Sequence, residues 1–135
     1  MPCKSRVIRD NDKNKKPVGY KLIKCEGTCG PDDPCLGHRL RDPDDDEVIL
    51  HFCACASELY DNPISRRGMV KSCRIALMRH KTGLKPFDVT CVGFCDDDDN
   101  EKECRAVIVK TIQFADGTSQ DTLECECVYK TESIT

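Results

Sequence analysis

Short runs of β-branched, aromatic and aliphatic residues alternate along the chain with clusters of Asp, Asn, Gly, Pro and Lys. The runs are Tyr20-Lys21-Leu22-Ile23, Glu47-Val48-Ile49-Leu50-His51-Phe52, Val107-Ile108-Val109-Lys110-Thr111-Ile112 and Thr122-Leu123. Their length and composition suit strands. Arg74-Ile75-Ala76-Leu77-Met78-Arg79 fits either period, but it is short for a helix and reads as a strand. The polar clusters carry turn chemistry: Asn11–Pro17, with Lys13, Lys15 and Lys16; Asp42-Pro43-Asp44-Asp45-Asp46; Lys81-Thr82-Gly83; and Ala115-Asp116-Gly117. Asp-Gly between apolar runs is a strong hairpin signal. The pattern predicts an all-β chain. Val48, Leu50, Phe52, Phe94, Ile108, Ile112 and Phe114 are the apolar side chains expected to pack between its strands.

The twelve cysteines give this pattern a period. Cys3, Cys25, Cys29, Cys35, Cys53 and Cys55 are separated by 21, 3, 5, 17 and 1 residues. Cys73, Cys91, Cys95, Cys104, Cys125 and Cys127 are separated by 17, 3, 8, 20 and 1. One order therefore occurs twice: a single cysteine, a Cys-x-Gly-x-Cys, another single cysteine, and a closing Cys-x-Cys. Such self-similarity marks two related modules. Residues 1–55 form the first, 56–72 a linker, and 73–135 the second with a short tail. The turn clusters fall at the midpoints of the four long inter-cysteine intervals. Gly27 and Gly93 occupy the same place in the two copies. If the tetrad cysteines pair with the closing ones, five and three residues make a ring of eight. A further bridge can pass through that ring only where no Cβ blocks it, and that requirement favours glycine. Spacing alone does not choose among the 10,395 pairings that twelve cysteines allow.

The repeated Cys-x-Gly-x-Cys with a later Cys-x-Cys resembles the growth-factor cystine knot. Among knot families, the short gap after the tetrad looks most like the platelet-derived and vascular endothelial growth factors, as does Glu124-Cys125-Glu126-Cys127. The resemblance covers both halves. It implies a small, disulfide-rich all-β fold of two tandem knot modules with twisted hairpin fingers. It also implies the bridges Cys3–Cys35, Cys25–Cys53, Cys29–Cys55, Cys73–Cys104, Cys91–Cys125 and Cys95–Cys127. Six and six use every cysteine, so no interchain bridge is expected, although that family carries extra cysteines for one. Two fused knots could imitate the family's dimer within one polypeptide.

Composition narrows the function. With seven aromatics and no Trp, the chain has little material for a core, and bridges are expected to supply much of the stability. Twelve cysteines argue for an oxidising compartment, hence secretion. The chain opens Met1-Pro2-Cys3 without an apolar leader, so a secreted form is expected to have lost its signal. No run approaches the length of a membrane span. The net charge of −3 offers no basic face for nucleic acid. His38, His51 and His80 stand apart with no motif around them, and no Cys-x-x-Cys occurs. Neither an enzyme, a metal site nor any other cofactor is expected. Asp96, Asp97, Asp98 and Asp99 form an acidic cluster that lacks the alternating ligand spacing of a calcium loop and reads as solvated.

What remains is binding. The resemblance implies an extracellular protein that presents finger tips and loops to a receptor, growth factor, cytokine or complement component, as an antagonist or scavenger. The alternatives are a receptor-activating ligand with a built-in pseudo-dimer, and a protease inhibitor. The candidate contact residues are Lys13, Lys15 and Lys16; Asp44, Asp45 and Asp46; Tyr60, Arg66 and Arg67 in the linker; and Asp96–Asp99. No membrane insertion is expected.

Overall fold

The computed structural model describes residues 2–83, 87–95 and 101–130. They form eight strands: β1 (Val7–Asn11), β2 (Pro17–Leu22), β3 (Cys35–Asp42), β4 (Asp45–Cys55), β5 (Arg74–His80), β6 (Asp88–Val92), β7 (Lys102–Gln113) and β8 (Ser119–Tyr129). Two short 3-10 turns, Ala56–Glu58 and Arg66–Met69, lie between β4 and β5. The fold is all-β, small and disulfide-rich. Four hairpins, β1–β2, β3–β4, β5–β6 and β7–β8, are formed, two in each half, and Arg74–His80 is a strand as its composition predicts. Aspartates shape the turns. Asp12 Oδ1 accepts from the backbone N–H of Asn14 and Lys16, Asp42 Oδ1 from that of Asp44, and Asp116 Oδ1 from that of Thr118. These side-chain bonds to nearby N–H groups are what favours Asp in turns.

The hairpins do not stay with their own halves. Both sheets have four antiparallel strands, in the orders β2-β1-β8-β7 and β3-β4-β5-β6. Each takes one hairpin from each half. β1 pairs with β8 from Val7↔Leu123 to Asn11↔Ser119, and β4 pairs with β5 from Val48↔His80 to His51↔Leu77. The first strand of each half thus meets the last strand of the other, as in two subunits about a two-fold axis.

This exchange creates the core. Val48, Leu50, Phe52 and Ala54 alternate along one face of β4 and pack with Ala76, Val92, Met69 and Val70. Val7, Ile75, Leu77, Leu123 and Cys125 form a second cluster. β5 is therefore buried on both faces, with Ala76 in one cluster and Ile75 and Leu77 in the other. That explains its unbroken apolar run, which carries no strand period of its own. Val48, Leu50 and Phe52 are buried as expected. Phe94, Ile108, Ile112 and Phe114 are not: they are 47%, 54%, 39% and 44% exposed. The latter three belong to β7 and the turn after it, at the outer edge of the first sheet. Ile108 stands opposite buried Leu123 in the ladder but has no strand beyond it.

The six bridges are Cys3–Cys35, Cys25–Cys53, Cys29–Cys55, Cys73–Cys104, Cys91–Cys125 and Cys95–Cys127. These are the pairs that the resemblance implies, and no thiol is free. Two bridges of each half close the ring of eight residues. Gly27 and Gly93 both have positive φ, +125° and +90°. A Cβ on Gly27 would lie 2.5 Å from Pro2 O and 2.9 Å from Cys3 Cα, and one on Gly93 would lie 2.1 Å from Ser72 O. In both halves, then, the chain entering the first cysteine presses on the ring glycine.

One charged side chain ties the halves together. Arg74, at the start of β5, is 4% exposed. Its Nη1 donates to Cys53 O at 2.7 Å, its Nε to Ser72 O at 3.2 Å, and its Nη2 to Ser72 Oγ and the Glu58 carboxylate. Burial draws the Arg74 pKa downward, and the Glu58 charge and hydrogen bond oppose that shift. Arg74→Met leaves the Cys53 carbonyl with only the Ser5 hydroxyl as donor, and takes from Glu58 its counter-charge while Ser72 Oγ and the Cys55 N–H still donate to it. Glu58 is 21% exposed, so water replaces part of the loss. The expected cost is about 2 kcal/mol, read from denaturant midpoints. Adding Glu58→Gln should recover part of it.

Candidate partner-binding surface

Three of the sequence-predicted contact residues meet in one place. An open cleft of 540 Å³ is lined by Asp44 from the β3–β4 turn, Ser65, Arg66 and Arg67 from the linker, Thr90 from β6, and Arg105 and Ala106 from β7, among others. It therefore draws on both halves and the segment between them. Arg66 is its fixed wall. Its Nε lies 3.6 Å from both Asp42 Oδ2 and Asp44 Oδ2, and its backbone N–H donates to Asp44 Oδ2 at 3.3 Å. Asp42 is fully buried, so Arg66 is the counter-charge of an interior carboxylate. Arg67 is exposed, and among the described residues its side chain makes no ion pair. Its backbone carbonyl accepts from the N–H of ring residue Gly93 at 2.9 Å, which fixes the stem from which the guanidinium projects. Arg105 pairs with Glu103 beside it.

The roles of the two linker arginines separate by substitution. Arg66→Ala strands the Asp42 carboxylate and should cost about 1–3 kcal/mol of stability. Arg67→Glu should leave the thermal midpoint within about 1 °C, because exposed charges away from packed features contribute little. Differential scanning calorimetry distinguishes them.

The other candidates lie elsewhere. The cation of the β3–β4 turn is Arg66, and Lys13 lies against Gly117 of the β7–β8 turn. Lys15 and Lys16 are exposed in the β1–β2 turn, and Asp45 and Asp46 are exposed at the start of β4. Tyr60 is 43% exposed with Lys71 Nζ 5.9 Å from its ring centroid, and does not line the cleft. Met69, in the same linker, is buried in the core. Asp96–Asp99 lie outside the described residues. Thr90, Arg105 and Ala106 carried no signal in the sequence, since only the folding of β6 and β7 against the linker gives them a place.

Between the fingers of the first sheet, Asp121 anchors a buried polar cluster. Its Oδ2 accepts from Arg9 Nη2 at 2.8 Å and Asn11 Nδ2 at 2.9 Å, and its Oδ1 from Thr111 Oγ1 at 2.8 Å. Burial pushes this carboxyl upward, but the three hydrogen bonds and the Arg9 charge outweigh it and hold it below the ordinary 3.8. A lowered folded-state pKa gives stability that is complete above the unfolded value and is lost as pH falls through the folded one. Asp121→Asn should therefore lower the melting temperature at neutral pH and flatten its fall below about pH 4, measured by circular dichroism.

Fold and cleft together define a class: a small all-β protein stapled by six bridges, with a basic, solvent-open cleft. No helix among the described residues is long and apolar enough to cross a membrane. No protein-family model matches the chain, and no significant match is found among curated proteins or solved structures.

Proposed function

We propose that each half is a growth-factor-type cystine knot, with its third bridge passing through the eight-residue ring, and that the chain is a secreted, non-catalytic protein that captures an extracellular protein partner. A receptor, growth factor, cytokine or complement component fits that role. The observation that carries this reading is the cleft, where Arg67 and Arg105 are displayed on a disulfide-held frame assembled from four separate segments. A frame fixed in advance lowers the ordering cost of binding, and arginine is favoured at binding hot spots. The lining charges suit an acidic segment on the partner. Capture and receptor activation draw on the same surface, and a built-in pseudo-dimer needs no interchain bridge, so a cell assay separates them. Capture ranks above protease inhibition because Arg66–Met69 is a 3-10 turn with Gly68 and Met69 buried, and a protease requires an extended loop.

The test is a binding screen of the oxidised protein against secreted factors and receptor ectodomains, repeated with Arg67→Glu. The expected result is a partner bound at micromolar affinity or better whose complex weakens about 10-fold or more in the variant. A partner bound equally by both proteins rejects the cleft, and no partner at all rejects capture. A cell assay with the partner then separates blockade from activation.

A further inference from the structure

The two sheets leave four edge strands: β2, β7, β3 and β6. Three are blunted in the ways that natural edges are. β2 holds Pro17 and Gly19 within six residues, β6 is five residues long, and β3 carries Gly37, Arg39, Arg41 and Asp42. β7 is different. It runs for twelve residues with no Gly or Pro, and Ile108, Val109 and Ile112 are 54%, 44% and 39% exposed. A long, exposed, apolar edge is a template for pairing with another strand.

We propose that β7 is the interface for a second copy of this chain, which pairs antiparallel across a two-fold axis at Ala106. The argument rests on register and charge. Glu103, Arg105, Val107, Lys110 and Ile112 stand opposite Val128, Glu126, Glu124, Thr122 and Gln120 of β8. Those partners alternate along β8, so the five β7 residues share one face, and Val109 is the extra residue of a bulge. A symmetric antiparallel pair sets each residue opposite the one equally far beyond the axis, on the same face. Counting Ile108 and Val109 as one ladder position, an axis at Ala106 puts Glu103 opposite Lys110 of the second copy. Symmetry makes that contact twice. Arg105 then faces Val107, and Ala106 leaves the axis uncrowded. An axis at Val107 instead opposes Arg105 to Lys110, and one at Arg105 opposes the two arginines, both repulsive. An axis at Ile108 leaves Lys110 facing Val107. A lysine in mid-edge ordinarily deters pairing, but in the Ala106 register it meets a carboxylate. The resulting dimer has one continuous eight-stranded sheet, and because Arg105 and Ala106 also line the cleft, a second copy and a captured partner draw on the same stretch of β7.

Sedimentation equilibrium from about 5 to 200 μM tests this, with wild type, Glu103→Lys, Lys110→Glu and their equimolar mixture. The expected result is a wild-type dimer that weakens about 10-fold in each single variant, where both opposed pairs become like-charged. The mixture is expected to recover wild-type affinity. In the heterodimer one copy is basic at both positions and the other acidic at both, so each opposed pair again joins unlike charges. A wild type that stays monomeric throughout overturns the proposal. So do single variants that dimerise as tightly as wild type, and a mixture that associates no better than its components.

Discussion

Gly93→Ala destabilises the protein by about 4–5 kcal/mol or prevents recovery of the native bridges on oxidative refolding. The expectation has an internal control. Gly93 and Gly117 have nearly the same φ, +90° and +91°. At Gly117 an added Cβ meets only the Lys13 side chain, at 3.3 Å, and a flexible lysine can move aside. At Gly93 it meets the Ser72 carbonyl, which is backbone tied to a bridged cysteine and cannot move. Gly117→Ala should therefore show the conformational cost alone, about 1–2 kcal/mol, and Gly93→Ala that cost with a clash added. Gly27→Ala should behave as Gly93→Ala does, since its Cβ would press on Pro2 and Cys3. Chemical denaturation of refolded protein measures all three. Equal effects at Gly93 and Gly117 would remove steric closure of the ring as the reason for glycine.

The second large effect follows from the shared sheets. Replacing Cys25 and Cys53 together by Ser removes a bridge spanning 28 residues of sequence, and should cost about 3–4 kcal/mol by loop-closure entropy. Cys53 is fully buried beside the Ser5 hydroxyl, so added serine polarity works in the same direction. Replacing Cys91 and Cys125, which span 34 residues, should cost a similar amount. The informative observable is the shape of the transition. β1 pairs with β8 and β4 with β5, so neither half keeps a complete sheet when the other unfolds. Each double variant is therefore expected to melt in one cooperative step by calorimetry, at a lower temperature. Two separated steps, one near the wild-type midpoint, would show halves that fold independently.

Local structure was legible in the sequence because it is set by local chemistry. Asp12, Asp42 and Asp116 announce turns because their carboxylates bond N–H groups two residues ahead. Val48, Leu50 and Phe52 announce a half-buried strand by alternation. Gly27 and Gly93 announced a crowded backbone by recurring at one place in two copies. What stayed hidden was which hairpin lies beside which. Nothing in β1 names β8 as its partner, because ladder hydrogen bonds belong to the backbone and are common to all sequences. The misplacement of Ile108, Ile112 and Phe114 follows from that gap: apolar residues on a strand read as core until the strand is seen to be an edge. Met69 and Val70 failed in the opposite sense. They sit in a segment with the turn residues Asn62, Pro63 and Gly68, yet complete the cover of β4. The cleft was half legible. Asp44, Arg66 and Arg67 stood out as charged turn residues, but the buried carboxylate of Asp42 that fixes Arg66, and the approach of Arg105, exist only in the folded chain.

The binding surface, the shared sheets and the knot reading all stand on one claim, that the twelve cysteines divide six and six with every bridge inside its own half. Proteolysis of the unreduced protein at acidic pH, followed by mass spectrometry of the linked peptides, tests it directly. The account predicts linked peptides for Cys3–Cys35, Cys25–Cys53, Cys29–Cys55, Cys73–Cys104, Cys91–Cys125 and Cys95–Cys127, with Cys25, Cys29, Cys53 and Cys55 in one cluster and Cys91, Cys95, Cys125 and Cys127 in another. A peptide joining residues 3–55 to residues 73–127, such as Cys35 to Cys104, would contradict it.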